Sequence, residues 1–134
     1  MKFDHIGIVV KSIEEARAIF ESDLPGFSPS KIYIDKEIDV KIQFIEYQHS
    51  NKIELIEPLS SASPIRSFLE KKNSSNIHHL AYSCKDIEKT CNSFRDKGYG
   101  FLTKFYHAEA FNGAKVIFLL SPLNIIVELI EEND

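Results

Sequence analysis

The chain has 134 residues, 43% of them hydrophobic and 27% charged, with a formal net charge of −4. That is enough to bury a core in one domain, and it is the composition of a globular chain rather than a disordered or fibrous one. The acidic balance argues against a nucleic-acid partner, which calls for a basic surface, but leaves room for a small anionic substrate.

Residues 3–10 (FDHIGIVV) form an apolar, β-branched run, predicted as a strand buried on both faces. Ser12 and Glu15 have capping-box spacing, and Ile13, Ala16, Ile19 and Phe20 recur at helical period, so a helix of about three turns follows, ended by Pro25-Gly26. Strands are expected near 30–35, at 40–48 and at 52–57, the last two joined by a turn at His49-Ser50-Asn51. Ser63-Pro64 reads as an N-cap followed by proline at the first helical position, which predicts a short helix from 64 to about 72. Asn73 to Asn76 is a polar break.

The second half repeats the first. His5 and His79 are 74 residues apart, and the same offset lays Lys11 on Lys85, Ile13 on Ile87, Phe20 on Phe94, Gly26-Phe27 on Gly100-Phe101 and Phe44 on Phe118. It also lays Glu54-Leu55-Ile56-Glu57 on Glu128-Leu129-Ile130-Glu131. No gap is expected between residues 3 and 132, so each copy reads β-α-β-β-β.

Strand side chains alternate faces. His5, Gly7 and Val9 therefore share one face, His79, Ala81 and Ser83 its counterpart, and the small residues leave space for a cavity. Glu54 and Glu128 each sit inside an apolar strand, where an isolated carboxylate is costly without a cation or hydrogen bonds. A lone histidine at a strand start is ordinarily a hydrogen-bonded core or rim residue. Four polar intrusions at repeat-related positions instead make a two-nitrogen, two-oxygen set for one divalent ion: His5, Glu54, His79 and Glu128. His78 points to the other face, and His49 and His107, lacking repeat partners, are expected in solvent. Cys84 and Cys91 fit neither a redox pair nor a zinc knuckle and are expected reduced. With no signal peptide and no apolar run of about 20 residues, no membrane association is expected and the cytoplasm is the expected location.

The segments DHIGIVV, KIELIEP, IHHLAY and VIFLLSPLNIIVELIE, in that order, resemble the vicinal oxygen chelate superfamily, across nearly the whole chain. The resemblance implies an α+β fold of two tandem β-α-β-β-β modules forming a cupped mixed β-sheet. It implies one domain over 1–134, composed of repeat 3–58, a linker helix within 59–76 and repeat 77–132. Within the superfamily the chain is most similar to methylmalonyl-CoA epimerases, through the ELIEP strand, the SPIRSFLEKK linker and the double histidine of HHLAY. That likeness implies metal ligands at His5, Glu54, His79 and Glu128 for one divalent ion (Co, Zn, Ni, Mn or Fe). It implies an acyl-CoA or other thioester as small-molecule substrate, and abstraction of the proton alpha to its carbonyl through a metal-stabilised enolate. The pattern puts the base at Glu37, before the Val40–Phe44 strand, with Glu128 as the second catalytic carboxylate and Phe111 at the repeat position of Glu37. One departure stands out: such epimerases usually carry Gln where this chain has Glu54. Two carboxylates and two neutral imidazoles offset a 2+ ion and make it a weaker Lewis acid. A glyoxalase I-like lyase acting on a hemithioacetal, or a metal-free small-molecule binding or resistance protein, are the alternatives. A homodimer is expected through edge strands near 40–48.

Overall fold

The computed structural model describes residues 1–70 and 76–133. Along them run β1 (Lys2–Val9), α1 (Ile13–Asp23), β2 (Ser28–Asp35), β3 (Val40–Glu46), β4 (Lys52–Pro58), α2 (Ser67–Glu70), β5 (Ile77–Cys84), α3 (Ile87–Asp96), β6 (Gly100–Phe101), β7 (Tyr106–Ala108), β8 (Ala114–Leu120) and β9 (Ile126–Glu131). The chain divides into two units, residues 6–78 and residues 1–5 with 79–134. In the first, β2, β3 and β4 pair antiparallel and β1 lies next to β4. In the second, β1 is followed by β5, β9, β8 and β6, with β9 parallel to β5 and antiparallel to β8, and β7 also on β8. β1 serves both, its order changing unit between His5 and Ile6. Among the described residues the result is the α+β class with a nine-stranded mixed sheet, and no described helix is long and apolar enough to cross a membrane.

The duplication is visible in individual hydrogen bonds. Ser12 caps α1 by accepting from the Glu15 amide (3.2 Å), and Asp86, its equivalent, caps α3 by accepting from Lys89 (3.1 Å). One step on, the Ile13 amide donates to Glu57 Oε1 (2.7 Å) and the Ile87 amide to Glu131 Oε2 (3.0 Å). Each helix start is thus held by a carboxylate from the last strand of its own copy, where the helix dipole favours negative charge. Strand parity follows from this. Leu55 and Glu57 face α1, and Leu55 is fully buried with Ile13 and Ile45. Leu129 and Glu131 face α3, and Leu129 is fully buried with Ile87, Cys91, Ile117 and Leu119.

The two helix–sheet interfaces have diverged. Cys91 and Ile117 belong to the apolar core under α3. Their equivalents are Arg17 and Gln43, joined by a 3.4 Å hydrogen bond from Nη1 to Oε1. Polar groups that need water pack less closely than a thiol on an isoleucine. A groove of about 620 Å³, lined by Arg17, Gln43, Lys41 and Glu57 among others, opens beside α1, and it contains none of the predicted site residues.

Several expectations need correction. The first strand is not equally buried on both sides: His5, Gly7 and Val9 are buried, while Ile6, Ile8 and Val10 are half-buried. The strand near 40–48 stops at Glu46 and is no edge, being paired on both sides by β2 and β4; the sheet ends on β2 and β6. The helix expected from 64 to about 72 begins as i→i−3 turns (Arg66 to Ser63, Phe68 to Ile65), and among the described residues α2 covers Ser67–Glu70. Residues 71–75, including the end of that helix and most of the polar break, lie outside the described residues.

The gap-free offset also fails in one strand. Where β2 carries a bulge, Ser30 Oγ accepts from the Phe44 amide (3.0 Å). In the second copy Thr103 Oγ1 accepts from Phe118 (3.1 Å), and Tyr106 pairs with Val116 as Tyr33 pairs with Ile42. Both pairs are 73 apart, not 74. The second copy splits its edge into β6 and β7, and its next turn has five residues (109–113) against four (36–39), which restores the offset at β8. Phe111 is therefore not the fixed counterpart of Glu37.

Candidate metal centre

His5 and His79 are brought together as the repeat predicts. Their Nε2 atoms are 3.1 Å apart. Glu128 Oε1 lies 3.3 Å from each of them. All three side chains are almost wholly buried: His5 0%, His79 1% and Glu128 3% exposed. Their positions follow from strand order, since β1, β5 and β9 are neighbours and Ala81 pairs with Glu128 in the parallel β5–β9 ladder.

The rings are held from several sides. Phe111 stacks on His5 at 5.7 Å between centroids with 19° between planes. Phe118 meets His79 edge to face at 5.1 Å, and it sits opposite Glu128 in the β8–β9 ladder. His5 Nδ1 lies 2.7 Å from Asp4 Oδ2. A carboxylate oxygen only accepts, so Nδ1 carries the proton and Nε2 of a neutral His5 is a lone pair. That lone pair faces a second acceptor, Glu128 Oε1, at 3.3 Å. His79 Nε2 lies 3.1 Å from the same lone pair and 3.3 Å from Glu128 Oε1, so a proton on His79 Nε2 or a cation bound among the three atoms would offset the repulsion between the two acceptors.

The spacing fits a metal ion. Ligand atoms about 2.1 Å from one centre are separated by about 3.0 Å in octahedral and about 3.4 Å in tetrahedral geometry. The distances of 3.1 and 3.3 Å fall inside that interval. Two imidazole nitrogens and a carboxylate suit zinc, cobalt, nickel, manganese or iron alike.

The other predicted residues belong to the unit of residues 6–78. Glu54 is 3% exposed in the middle of β4, opposite Phe44 and flanked in sequence by half-buried Ile53 and fully buried Leu55. Glu37 is exposed in the turn between β2 and β3, its amide donating to the buried Asp35 (3.2 Å). Of the remaining histidines, His78 packs edge to face on Phe68 at 4.7 Å. His49 is exposed at positive φ, and exposed His107 donates from Nδ1 to the Gly113 carbonyl (2.8 Å). Sequence reasoning missed Asp4 and the aromatic clamps. An aspartate next to a histidine in a strand is expected on the opposite face, so parity hides the Asp4–His5 contact. Strand alternation puts Glu57 and Glu131 on the face opposite Glu54 and Glu128, but nothing in the sequence marks them as acceptors for the helix-start amides.

The fold and this donor set define a class. A family model described as the Glyoxalase/Bleomycin resistance protein/Dioxygenase superfamily matches residues 4–118, and the chain belongs to that superfamily. Within it, the chain is 36% identical to the uncharacterized protein YqjC of Bacillus subtilis (strain 168), over 97% of this chain and 91% of that one. It is 30% identical to the ethylmalonyl-CoA/methylmalonyl-CoA epimerase of Cereibacter sphaeroides, over 86% of this chain and 94% of that one. The crystal structure of methylmalonyl-CoA epimerase from Mycobacterium tuberculosis shares the fold, with a TM-score of 0.82 at 22% identity over 99% and 89% of the two chains.

Proposed function

We propose that the protein is a metal-dependent epimerase or isomerase that removes and returns the proton alpha to the carbonyl of an acyl-CoA or related thioester. The observation that carries the reading is the convergence of His5 Nε2, His79 Nε2 and Glu128 Oε1 at 3.1–3.3 Å in a buried setting. The 30% identical epimerase supplies the substrate class. We assign Glu54 as the fourth ligand, because it is buried and stands at the repeat position of Glu128. A divalent ion in this set supplies Lewis-acid stabilisation of the negative charge that develops on the substrate carbonyl.

The chain's own residues do the rest. His5 and His79 present neutral nitrogens, and Glu128 and Glu54 balance the ion's charge. Glu37 is the base that takes the α-proton: it is a carboxylate on a turn pinned through its amide to Asp35, open to an incoming substrate. Glu128 is the second catalytic carboxylate, the one that returns the proton. A glyoxalase I-like lyase acting on a hemithioacetal is the second reading, favoured by one residue, Glu54, where such epimerases usually carry Gln.

The test is solvent exchange. Methylmalonyl-CoA incubated in deuterated water with the metal-loaded protein should gain deuterium at its α-carbon, and both His79→Ala and Glu37→Gln should lose most of that activity. Absence of exchange together with turnover of a hemithioacetal would install the lyase in its place. A protein that binds no stoichiometric divalent ion, and binds a small ligand equally well as His79→Ala, would sink both enzyme readings.

A further inference from the structure

We propose that Asp4 is a positioning residue that locks the His5 imidazole in its Nδ1–H form and thereby sets how tightly the His5–His79–Glu128 cluster holds a divalent ion. The inference rests on the metal reading above and deepens it.

Three observations carry it. First, the Asp4 Oδ2 to His5 Nδ1 distance is 2.7 Å, with His5 fully buried and the Asp4 side chain 25% exposed. Consecutive strand residues project to opposite faces, so this contact does not follow from strand geometry. The Asp4 carboxylate reaches around to the ring. Second, the flat face of the same ring is covered by Phe111 at 5.7 Å and 19°, which restrains tilt while the Asp4 bond restrains rotation. With both in place the Nε2 lone pair is aimed at His79 Nε2 and Glu128 Oε1. A carboxylate that accepts the far N–H also makes the imidazole a better donor to a cation. Third, the repeat breaks here. The place before His79 that corresponds to Asp4 holds His78, whose ring packs on Phe68. Only the first copy sends a carboxylate from the preceding residue onto its histidine.

The experiment separates this inference from the reading beneath it, because its first arm needs no metal. At pH 8, long-range proton–nitrogen NMR of metal-free protein should find a neutral His5 with the proton on Nδ1, and Asp4→Ala should shift it toward the Nε2–H form. In the second arm, zinc affinity is measured by chelator competition. Asp4→Ala should raise Kd about ten- to hundredfold and Asp4→Asn, which keeps an acceptor without the charge, by less. The metal-free Tm should stay within about 2 °C in both variants. A wild-type His5 that carries its proton on Nε2, or on both nitrogens, overturns the inference whether or not metal binds. So does an unchanged Kd in Asp4→Ala. A wild-type protein with the expected tautomer but no zinc binding instead overturns the metal centre, and the affinity role of Asp4 with it.

Discussion

Glu128 and Glu131 are three residues apart in β9 and should answer mutation in opposite ways. Glu131 Oε2 accepts the Ile87 amide at 3.0 Å and so completes the start of α3. Replacing it with alanine removes a charge-assisted bond and leaves a helix amide without that acceptor, a loss of about 2 kcal/mol. Unfolding entropy of about 2.1 cal/mol/K per residue gives about 0.28 kcal/mol/K for a chain of 134 residues. The metal-free Tm should therefore fall by about 7 °C. Glu128 faces His5 and His79 instead, and Glu128→Gln should leave the metal-free Tm nearly unchanged, since the isosteric amide keeps an acceptor for His79 and adds a donor for the His5 lone pair. Metal reverses the contrast. At a free ion concentration of about 100 times Kd, binding stabilises the native state by about 2.7 kcal/mol, close to 10 °C. Glu131→Ala should retain that increment in full. Losing a ligand and about hundredfold in affinity brings the same concentration down to Kd, where the increment is about 0.4 kcal/mol. Glu128→Gln should thus gain only one or two degrees, on the order of 1.5 °C. Differential scanning calorimetry with and without zinc reads all four values. An increment that vanishes in Glu131→Ala, or survives in Glu128→Gln, refutes the division of labour between the two faces of β9.

Two further outcomes are expected. Ser50 stands at φ 60° beside His49 at φ 63°, in the turn between β3 and β4. An L side chain in that region costs about 1 kcal/mol, so Ser50→Gly should raise Tm by about 3–4 °C; a fall would mean the serine side chain has a role in the turn. Burial pushes the Cys84 thiol above its ordinary value of 9.0, opposed by the Thr90 hydrogen bond and reinforced by Glu131, and burial likewise raises Cys91. A raised folded value means this stabilisation is complete below pH 9 and is lost as pH rises through the folded values. Native protein should be alkylated by iodoacetamide far more slowly than unfolded chain at pH 8.5, and thermal stability should decline above pH 9. Equal alkylation rates would contradict the burial argument.

Much of this architecture is legible in the sequence because it depends on local rules applied twice. Ser12 and Asp86 announce helix starts, and parity within ELIE separates the carboxylates that face the histidines from those that face the helices. What the sequence hides is register. A bulge changes pairing by one residue without leaving a compositional mark, and Ser30 and Thr103 reveal the one-residue discrepancy only once their hydroxyls are seen to fill the same ladder position. Side-chain contacts that run against parity are equally hidden, which is why the sequence points to His5 and not to Asp4 beside it. The exposed Glu37 lies at the limit of both: its turn is legible between the two expected strands, and its chemistry comes from resemblance alone.

The cluster also bears on why the unit is duplicated. One copy of β-α-β-β-β carries a single histidine in its first strand and one cavity-facing glutamate in its last. Either alone is a poor site, because one imidazole and one carboxylate leave most positions around an ion to water. In the sheet β1 is next to β4 on one side and β5 on the other, with β9 beyond β5, and His5 falls in the same unit as His79 and Glu128. That order puts a histidine from the first repeat onto a histidine and glutamate from the second, and three candidate ligand atoms come within 3.3 Å of one another. Without β1 beside β5 the repeat would leave two half-sites; that neighbourhood is what lets a repeated sequence assemble one candidate metal centre. The two histidines then need not be equivalent, and Asp4 opposite Phe111 is where the first has been set apart from the second.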